Sequence, residues 1–235
     1  LNIETSTSVC SVALSMDGEV LFAKASFDGP SHAALLGVFV EEALSVLKKK
    51  GKKALDAVAV SSGPGSYTGL RIGVSVAKGL CFGFGIPLIG IHTLDIMAAT
   101  VNSKGDSQIV SMTDNCLYCA MLDARRMEVY AAIYDASLKP VRETKADIVE
   151  VGTYASYLEK GKVCFFGNGA SKCKSVITSP NAIFIEDIHP LAVNMIPLSE
   201  QAFAAGKFED TAYFEPFYLK EFQATVAKNK VLLAR

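Results

Sequence analysis

The sequence predicts an α/β protein of two lobes, each a small mixed sheet with helices. Three observations carry this reading. The first hundred residues alternate strand-like and helix-like stretches in the order β-β-β-α-β-α-β. A second set of strand-like stretches, opening near residue 117, repeats a similar pairing theme. The chain has 235 residues, 50% of them hydrophobic, enough for one large core or two modest ones.

The elements follow in order. Leu1–Glu4 and Val9–Met16 are strand-like, Asp17-Gly18 is a turn signal, and Val20–Ala25 pairs back. Ser31 is placed to cap a helix running to about Lys49. Ala57–Ser62 reads as a buried strand, Thr68–Phe82 as a helix, Pro87–Ile91 as a strand, and Thr93 opens a helix to about Val101. Val101 to Asn115 is polar and reads as loop. Leu117–Asp123, Val129–Asp135 and Val141–Lys145 are three further strands, and Thr153 caps a short helix to Lys160. Val163–Phe166 is a buried strand entering the turn Gly167-Asn168-Gly169. The last helix spans Pro190 to Gly206, with a kink expected at Pro197. These boundaries divide the chain into a first lobe at 1–101, a second at 102–212, and a C-terminal segment, 213–235, packing back on the first.

Composition narrows the function classes. A formal net charge of −1 argues against binding nucleic acid mainly by charge. The densest basic run, Lys48-Lys49-Lys50-Gly51-Lys52-Lys53, suits a helix C-terminus, where lysines oppose the macrodipole and glycine ends the helix. The basic tail from Lys220 to Arg235, with Lys228 and Lys230, reads as solvated. Six cysteines in no regular framework suggest reduced thiols and a cytoplasmic setting. Cys116 and Cys119 form a CxxC, but no second pair stands at zinc-ribbon spacing, so buried thiols are expected and no metal. The chain enters a β-like segment at once, without a secretory pattern, and lacks an initiator Met, so native residues are expected to precede Leu1. The longest apolar stretch, Leu80 to Ile91, is broken by Gly83, Gly85 and Pro87 and falls short of the roughly 20 residues that span a bilayer, so no membrane is expected.

The two long helices are apolar beyond one face. On the first, Leu36, Phe39, Val40, Ala43 and Leu47 make a stripe that Leu35, Val38 and Val46 widen. On the second, Gly69, Gly73, Val76, Ala77 and Leu80 fall on one side, while Leu70, Val74 and Cys81 form another. Thr68, Arg71, Ser75 and Lys78 are its only polar strip. Interior glycines cost about 1 kcal/mol each relative to alanine, so close packing must offset that cost. An internal helix pair and a subunit interface both satisfy this pattern.

Candidate chemistry is sparse. Glu4 and Asp123 are acidic strand ends, one per lobe, in the manner of phosphate and magnesium sites of actin-like ATPases and sugar kinases. The run Gly63-Pro64-Gly65-Ser66, leading to Gly69 at a helix N-terminus, could cradle a phosphate through backbone N–H groups. It lacks the lysine and spacing of a P-loop. Gly167-Asn168-Gly169-Ala170 is a second tight turn that could lie under a nucleotide or be a plain turn. No GxSxG elbow exists, and His32, His92 and His189 have no triad partner recognisable from sequence.

Taken together, IETSTSVCSVAL at 3–14, SSGPGSYTGLRIGVSVAKGL at 61–80, PLIGIHTL at 87–94, LDARRMEVYAAIYD at 122–135 and FEPFYLKE at 214–221 resemble the TsaB (YeaZ) family. The resemblance runs over almost the whole chain, and the 61–80 block is highly specific. It implies a pair of ribonuclease-H-like lobes of the actin/hexokinase (ASKHA) superfamily and a non-catalytic subunit of bacterial tRNA threonylcarbamoyladenosine synthesis. The sister subunit, TsaD, transfers the threonylcarbamoyl group to the adenosine beside the tRNA anticodon and carries a histidine-x-x-x-histidine metal motif. Registering that motif here puts Thr93 and Met97 at the two histidine positions. A hydroxyl and a thioether are poor substitutes for two imidazoles, so the resemblance implies a scaffold without the metal and without catalytic residues.

The same resemblance implies pairing with TsaD, self-association when alone, an ATPase called TsaE near the junction, and tRNA as the substrate of the complex. The interface is expected on the two long helices, at Leu36, Phe39, Val40, Ala43, Gly69, Leu70, Arg71, Gly73, Val74 and Ala77. No cofactor of its own is expected; ATP or ADP would sit at the complex interface, with Gly63, Gly65, Ser66 and Gly69 as the phosphate or junction candidates. The competing readings are a stand-alone actin- or sugar-kinase-like ATP-binding enzyme, an M22-type metallopeptidase, and a purely homodimeric structural protein.

Overall fold

Strand alternation builds the first sheet. In the computed structural model, which describes residues 1–29, 31–51, 54–103 and 116–220, β1 (Asn2–Glu4), β2 (Cys10–Met16) and β3 (Glu19–Ser26) form an antiparallel meander. Then β4 (Val58–Gly63) pairs parallel with β1, and β5 (Leu88–His92) parallel with β4, giving the order β3-β2-β1-β4-β5. Successive side chains point to opposite faces. Ile3, Val12, Leu14, Val58 and Val60 meet α1 (His32–Lys49) and α2 (Tyr67–Phe84) on one side. Ala13, Ala59, Ile89 and Ile91 meet the other layer, α3 (Thr93–Ser103) and the last helix.

The second sheet repeats the first. Here β6 (Leu117–Asp123), β7 (Glu128–Tyr134) and β8 (Pro140–Ile148) are antiparallel, and β9 (Val163–Phe166) and β10 (Ala182–Ile185) add in parallel, in the order β10-β9-β6-β7-β8. The topology is the same meander-then-parallel arrangement twice, the two-lobed ribonuclease-H-like fold. Cys119, Met121, Val129, Ala131, Ile133, Val163 and Phe165 face α4 (Ala155–Leu158) and α5 (Ala170–Cys173). Ala120, Leu122, Ala132, Tyr134 and Phe166 face α3.

Helix α3 therefore serves both lobes. Ile96 enters the core under the first sheet, whereas Leu94, Met97, Ala98 and Val101 enter that of the second. Helix α6 (Ala192–Ala204) sits in the second half of the chain but packs on the first sheet, through Ala192, Met195 and Ile196. A second lobe drawn as 102–212 is thus corrected by this packing. Small Ala13 and Ala59 on the sheet leave room for the helix. Near the end of the described chain, the Phe217 amide donates to the Ser62 carbonyl (2.6 Å) and Lys78 Nζ to the carbonyls of Ala212 (2.9 Å) and Phe214 (3.2 Å) in the first lobe, while Lys220 pairs with Glu128 of the second sheet. The rest of the C-terminal segment, including Lys228 and Lys230, lies outside the described residues, as does 104–115 of the expected loop.

Local differences have physical causes. Ser31 precedes α1, but its hydroxyl donates to the Gly29 carbonyl (3.3 Å) and caps nothing. Thr153 Oγ1 is taken up by the Glu150 amide and carbonyl, so α4 shortens to one turn. Gly51 has φ 75° and follows the last turn of α1 with Lys48 and Lys49, the helix end the basic run predicts.

Candidate functional site

Between the lobes lies a cleft of about 1140 Å³. Its first wall is Ser6–Ser8, His32 and the loop Pro64–Gly69; its second is Leu122–Arg126, Glu128 and Asn168; Phe217–Lys220 close one side.

The glycine loop is where the first lobe folds on itself. A Cβ at Gly65 would collide with the Ser6 carbonyl, one at Gly69 with the Thr5 carbonyl, and one at Gly73 with Thr5 Oγ1. At Gly63, φ is 111° and a Cβ would lie 2.6 Å from the Phe217 carbonyl. Hydrogen bonds complete the contact: Ser66 N donates to Ser6 O (2.6 Å), Thr5 Oγ1 to Gly69 O (2.8 Å), and Gly69 N to the capping Ser66 Oγ (3.2 Å). The close approaches at Gly63, Gly65 and Gly69 are made to the chain's own backbone. Ser66 is exposed at the cleft.

Glu4 sits beneath this junction, fully buried. Its Oε1 accepts from Ser6 N (2.6 Å) and Ser6 Oγ (2.5 Å), and Oε2 has no partner. Burial pushes the carboxyl up to about 7, against the lowering effect of the Ser6 hydrogen bonds. Across the cleft, Asp123 is ion-paired with Lys172, which also donates to the Glu128 carbonyl (2.6 Å). Asn168 Oδ1 receives the Asp123 amide (3.0 Å). The two acidic strand ends thus hold loops in their own lobes.

The turn Gly167-Asn168-Gly169 packs the same way. A Cβ at Gly169 would lie 2.8 Å from the Leu122 carbonyl carbon, and one at Gly167, with φ 99°, would strike the Met97 methyl and the Met121 carbonyl. These glycines are required by strand β6. Of the two residues that anchor Asp123, Asn168 belongs to the tight turn the sequence marks, whereas Lys172, on the one-turn α5, carries no sequence signal.

Thr93 and Met97 occupy the inter-lobe helix with no exposed surface, and Thr93 Oγ1 has no partner. Met97 is part of the second lobe's core. Among the described residues, no group of three or more His, Cys, Asp or Glu could hold a metal ion. The three histidines are spread out. His32 Nε2 donates to the Thr7 carbonyl (2.8 Å), the His92 ring lies edge-on to Phe217 (centroids 5.6 Å), and His189 edge-on to Phe27 (5.5 Å).

The expected interface stripe needs correction. Leu36, Phe39, Val40, Ala43, Gly69, Leu70, Gly73, Val74 and Ala77 are all buried within the chain; of the ten residues, Arg71 is exposed, its guanidinium 4.7 Å over the Tyr67 ring. The close-packed glycine side faces Thr5 at the exit of β1, so Gly69 and Gly73 accommodate a strand end and not the second helix of an internal helix pair. On α1, Val38, one of the residues that widened the apolar face, is 48% exposed and Leu35 is half-buried; on α2, Phe82 is 88% exposed, with Ile72, Val76 and Leu80 half-buried beside the core.

Comparison with known proteins decides the family. The chain is 31% identical to the Escherichia coli tRNA threonylcarbamoyladenosine biosynthesis protein TsaB, covering 94% of both chains. It belongs to the TsaB (YeaZ) family. The Bacillus subtilis TsaB is 30% identical over 57% of this chain. The family profile described as TsaD, tRNA N6-adenosine threonylcarbamoyltransferase, matches residues 28–228, which fits a paralogue that shares this fold. A Pseudomonas aeruginosa YeaZ structure superposes with a TM-score of 0.72 at 26% identity, covering 92% of this chain and 97% of that one. Another, described as an uncharacterized protein with similarity to peptidase YEAZ, gives 0.74 at 25%, covering 93% and 97%. This TsaB-family chain has both lobes, with Thr93 and Met97 buried on the helix between them.

Proposed function

We propose that the chain is the non-catalytic subunit of a tRNA threonylcarbamoyladenosine-forming complex. It pairs with a catalytic paralogue of the TsaD type and makes it competent to modify the adenosine beside the anticodon. One observation supports the non-catalytic role: Thr93 and Met97, which the resemblance registers on the paralogue's two histidines, are sealed inside the protein. The outward residues Val38, Phe82 and their neighbours supply apolar surface for pairing. A second copy uses that surface when the paralogue is absent. An ATPase of the TsaE type docks near the junction, ATP or ADP sits at the complex interface beside Ser66 and Gly65, and tRNA is the substrate of the assembly. The work is done in the cytoplasm; among the described residues no helix is long and apolar enough to cross a membrane.

Reconstitution of tRNA modification with the chain present and absent tests the role. A strict requirement for it, with no turnover by the chain alone, is the expected result; turnover alone overturns the reading. The inter-lobe cleft favours one competitor, a stand-alone ATP-binding enzyme, for which micromolar binding of ATP and magnesium by the isolated chain in calorimetry would speak. The peptidase-like description of one neighbour favours a metalloenzyme. Stoichiometric zinc or iron in untagged protein would support that instead.

A further inference from the structure

Cys116 precedes β6, and Cys164 lies in β9, the parallel neighbour of β6, where it registers with Tyr118. Cys116 stands just outside the strand, and its thiol reaches across to within 2.9 Å of the Cys164 sulfur. Two thiols of a reduced protein have no need to meet; a buried cysteine ordinarily packs as a small hydrophobe. All six cysteines are buried, yet Cys116 and Cys164 each retain 5% exposure while Cys10, Cys119 and Cys173 retain none.

We propose that Cys116 and Cys164 form a thiol-oxidation site, in which a peroxide converts the pair to an intramolecular disulfide tying the start of β6 to β9. One sulfur attacks a peroxide oxygen, the O–O bond breaks, and a sulfenic acid and one water result. The second sulfur then displaces the hydroxyl as a second water, forming the S–S bond. Two electrons pass from the thiols to hydrogen peroxide, and both thiol protons end in water. The crosslink closes 48 positions of chain and so restricts the unfolded state of the second lobe. It also holds both sulfurs in a reducible form, short of sulfinic acid.

The mutual hydrogen bond and burial push the Cys164 thiol up. Since the thiolate is the reacting form, oxidation is slow at neutral pH and accelerates in alkali.

The full chain, treated with hydrogen peroxide and alkylated under denaturing conditions, tests the site. Free thiols should fall from six to four, the mass by two hydrogens, and a non-reduced digest should yield one crosslinked pair containing Cys116 and Cys164. The melting midpoint should rise by several degrees and return on reduction. Cys164→Ser, and separately Cys116→Ala, should abolish both changes while keeping the native circular dichroism spectrum; if one variant fails to fold, the crosslinked peptide in the unsubstituted chain still decides. Six persistent thiols, a different pairing, a disulfide between two chains, or independent sulfinic acids on the two cysteines would each overturn the proposal.

Discussion

Thr5 and Gly69 are locked together twice over: the Thr5 hydroxyl donates to the Gly69 carbonyl at 2.8 Å, and the Thr5 carbonyl occupies the space a Cβ on Gly69 would need. The first strand's exit and the first turn of α2 are therefore one packed unit. Any side chain inserted there acts on folding before it acts on partners.

Glycines of α2 should accordingly divide into two groups. Gly73→Leu must displace Thr5 and is expected to cost at least the 1–3 kcal/mol of an overpacked core site. Gly79 is exposed, and a Cβ there would meet nothing within 4 Å, so Gly79→Ala should stabilise by about 1 kcal/mol through helix propensity. Urea denaturation of the two variants checks both signs.

Pairing should fail when the outward apolar surface is charged. Val38→Asp and Phe82→Asp lie on exposed positions, so each should leave monomer stability within about 0.5 kcal/mol. Sedimentation velocity should show loss of self-association, and calorimetry a weakening of at least tenfold toward the catalytic paralogue. Unchanged affinity in both variants would move the interface elsewhere on the molecule.

Acid should strengthen the first lobe. Glu4 titrates at about 7 when folded against an ordinary value of 4.5, so the native state binds the extra proton between those limits. Its contribution is fully present below pH 4.5 and is lost as pH rises through 7. Unfolding free energies measured from pH 5 to 8 should fall more steeply for the unsubstituted chain than for Glu4→Gln. Parallel curves would mean the carboxyl is charged throughout.

Introducing two histidines at positions 93 and 97 should not create a metal site. Thr93→His with Met97→His places imidazoles into space already filled, Met97 lying against Gly167 and β6. The double variant is expected to lose several kcal/mol in stability and to carry no stoichiometric zinc or iron by elemental analysis. A stable, loaded protein would show that the site lacks ligands rather than room.

Much of the fold was legible because strand alternation is simple: Ile3, Val12 and Val60 face one way, Ala13 and Ala59 the other. Strand β10, four residues after a Ser-Pro-Asn turn, is too short to announce itself, and α5 is a single turn. The direction of the long helices was not legible. With apolar residues around most of the circumference, periodicity cannot tell core from outer surface, and the glycines pointed inward to Thr5. The glycine loop reads as a phosphate cradle for the same reason. Sequence reveals that backbone must approach something there, and only the fold identifies Ser6 and Phe217 as the neighbours.

Because neighbouring residues of one helix, Ile96 and Met97, are buried in opposite halves of the molecule, swinging those halves apart would tear that helix from one of them. Enzymes of this architecture that clamp a substrate need a free hinge. Here Ile96 and Met97 fill the pivot from both sides, so any change of angle between the halves has to break one of those two packings.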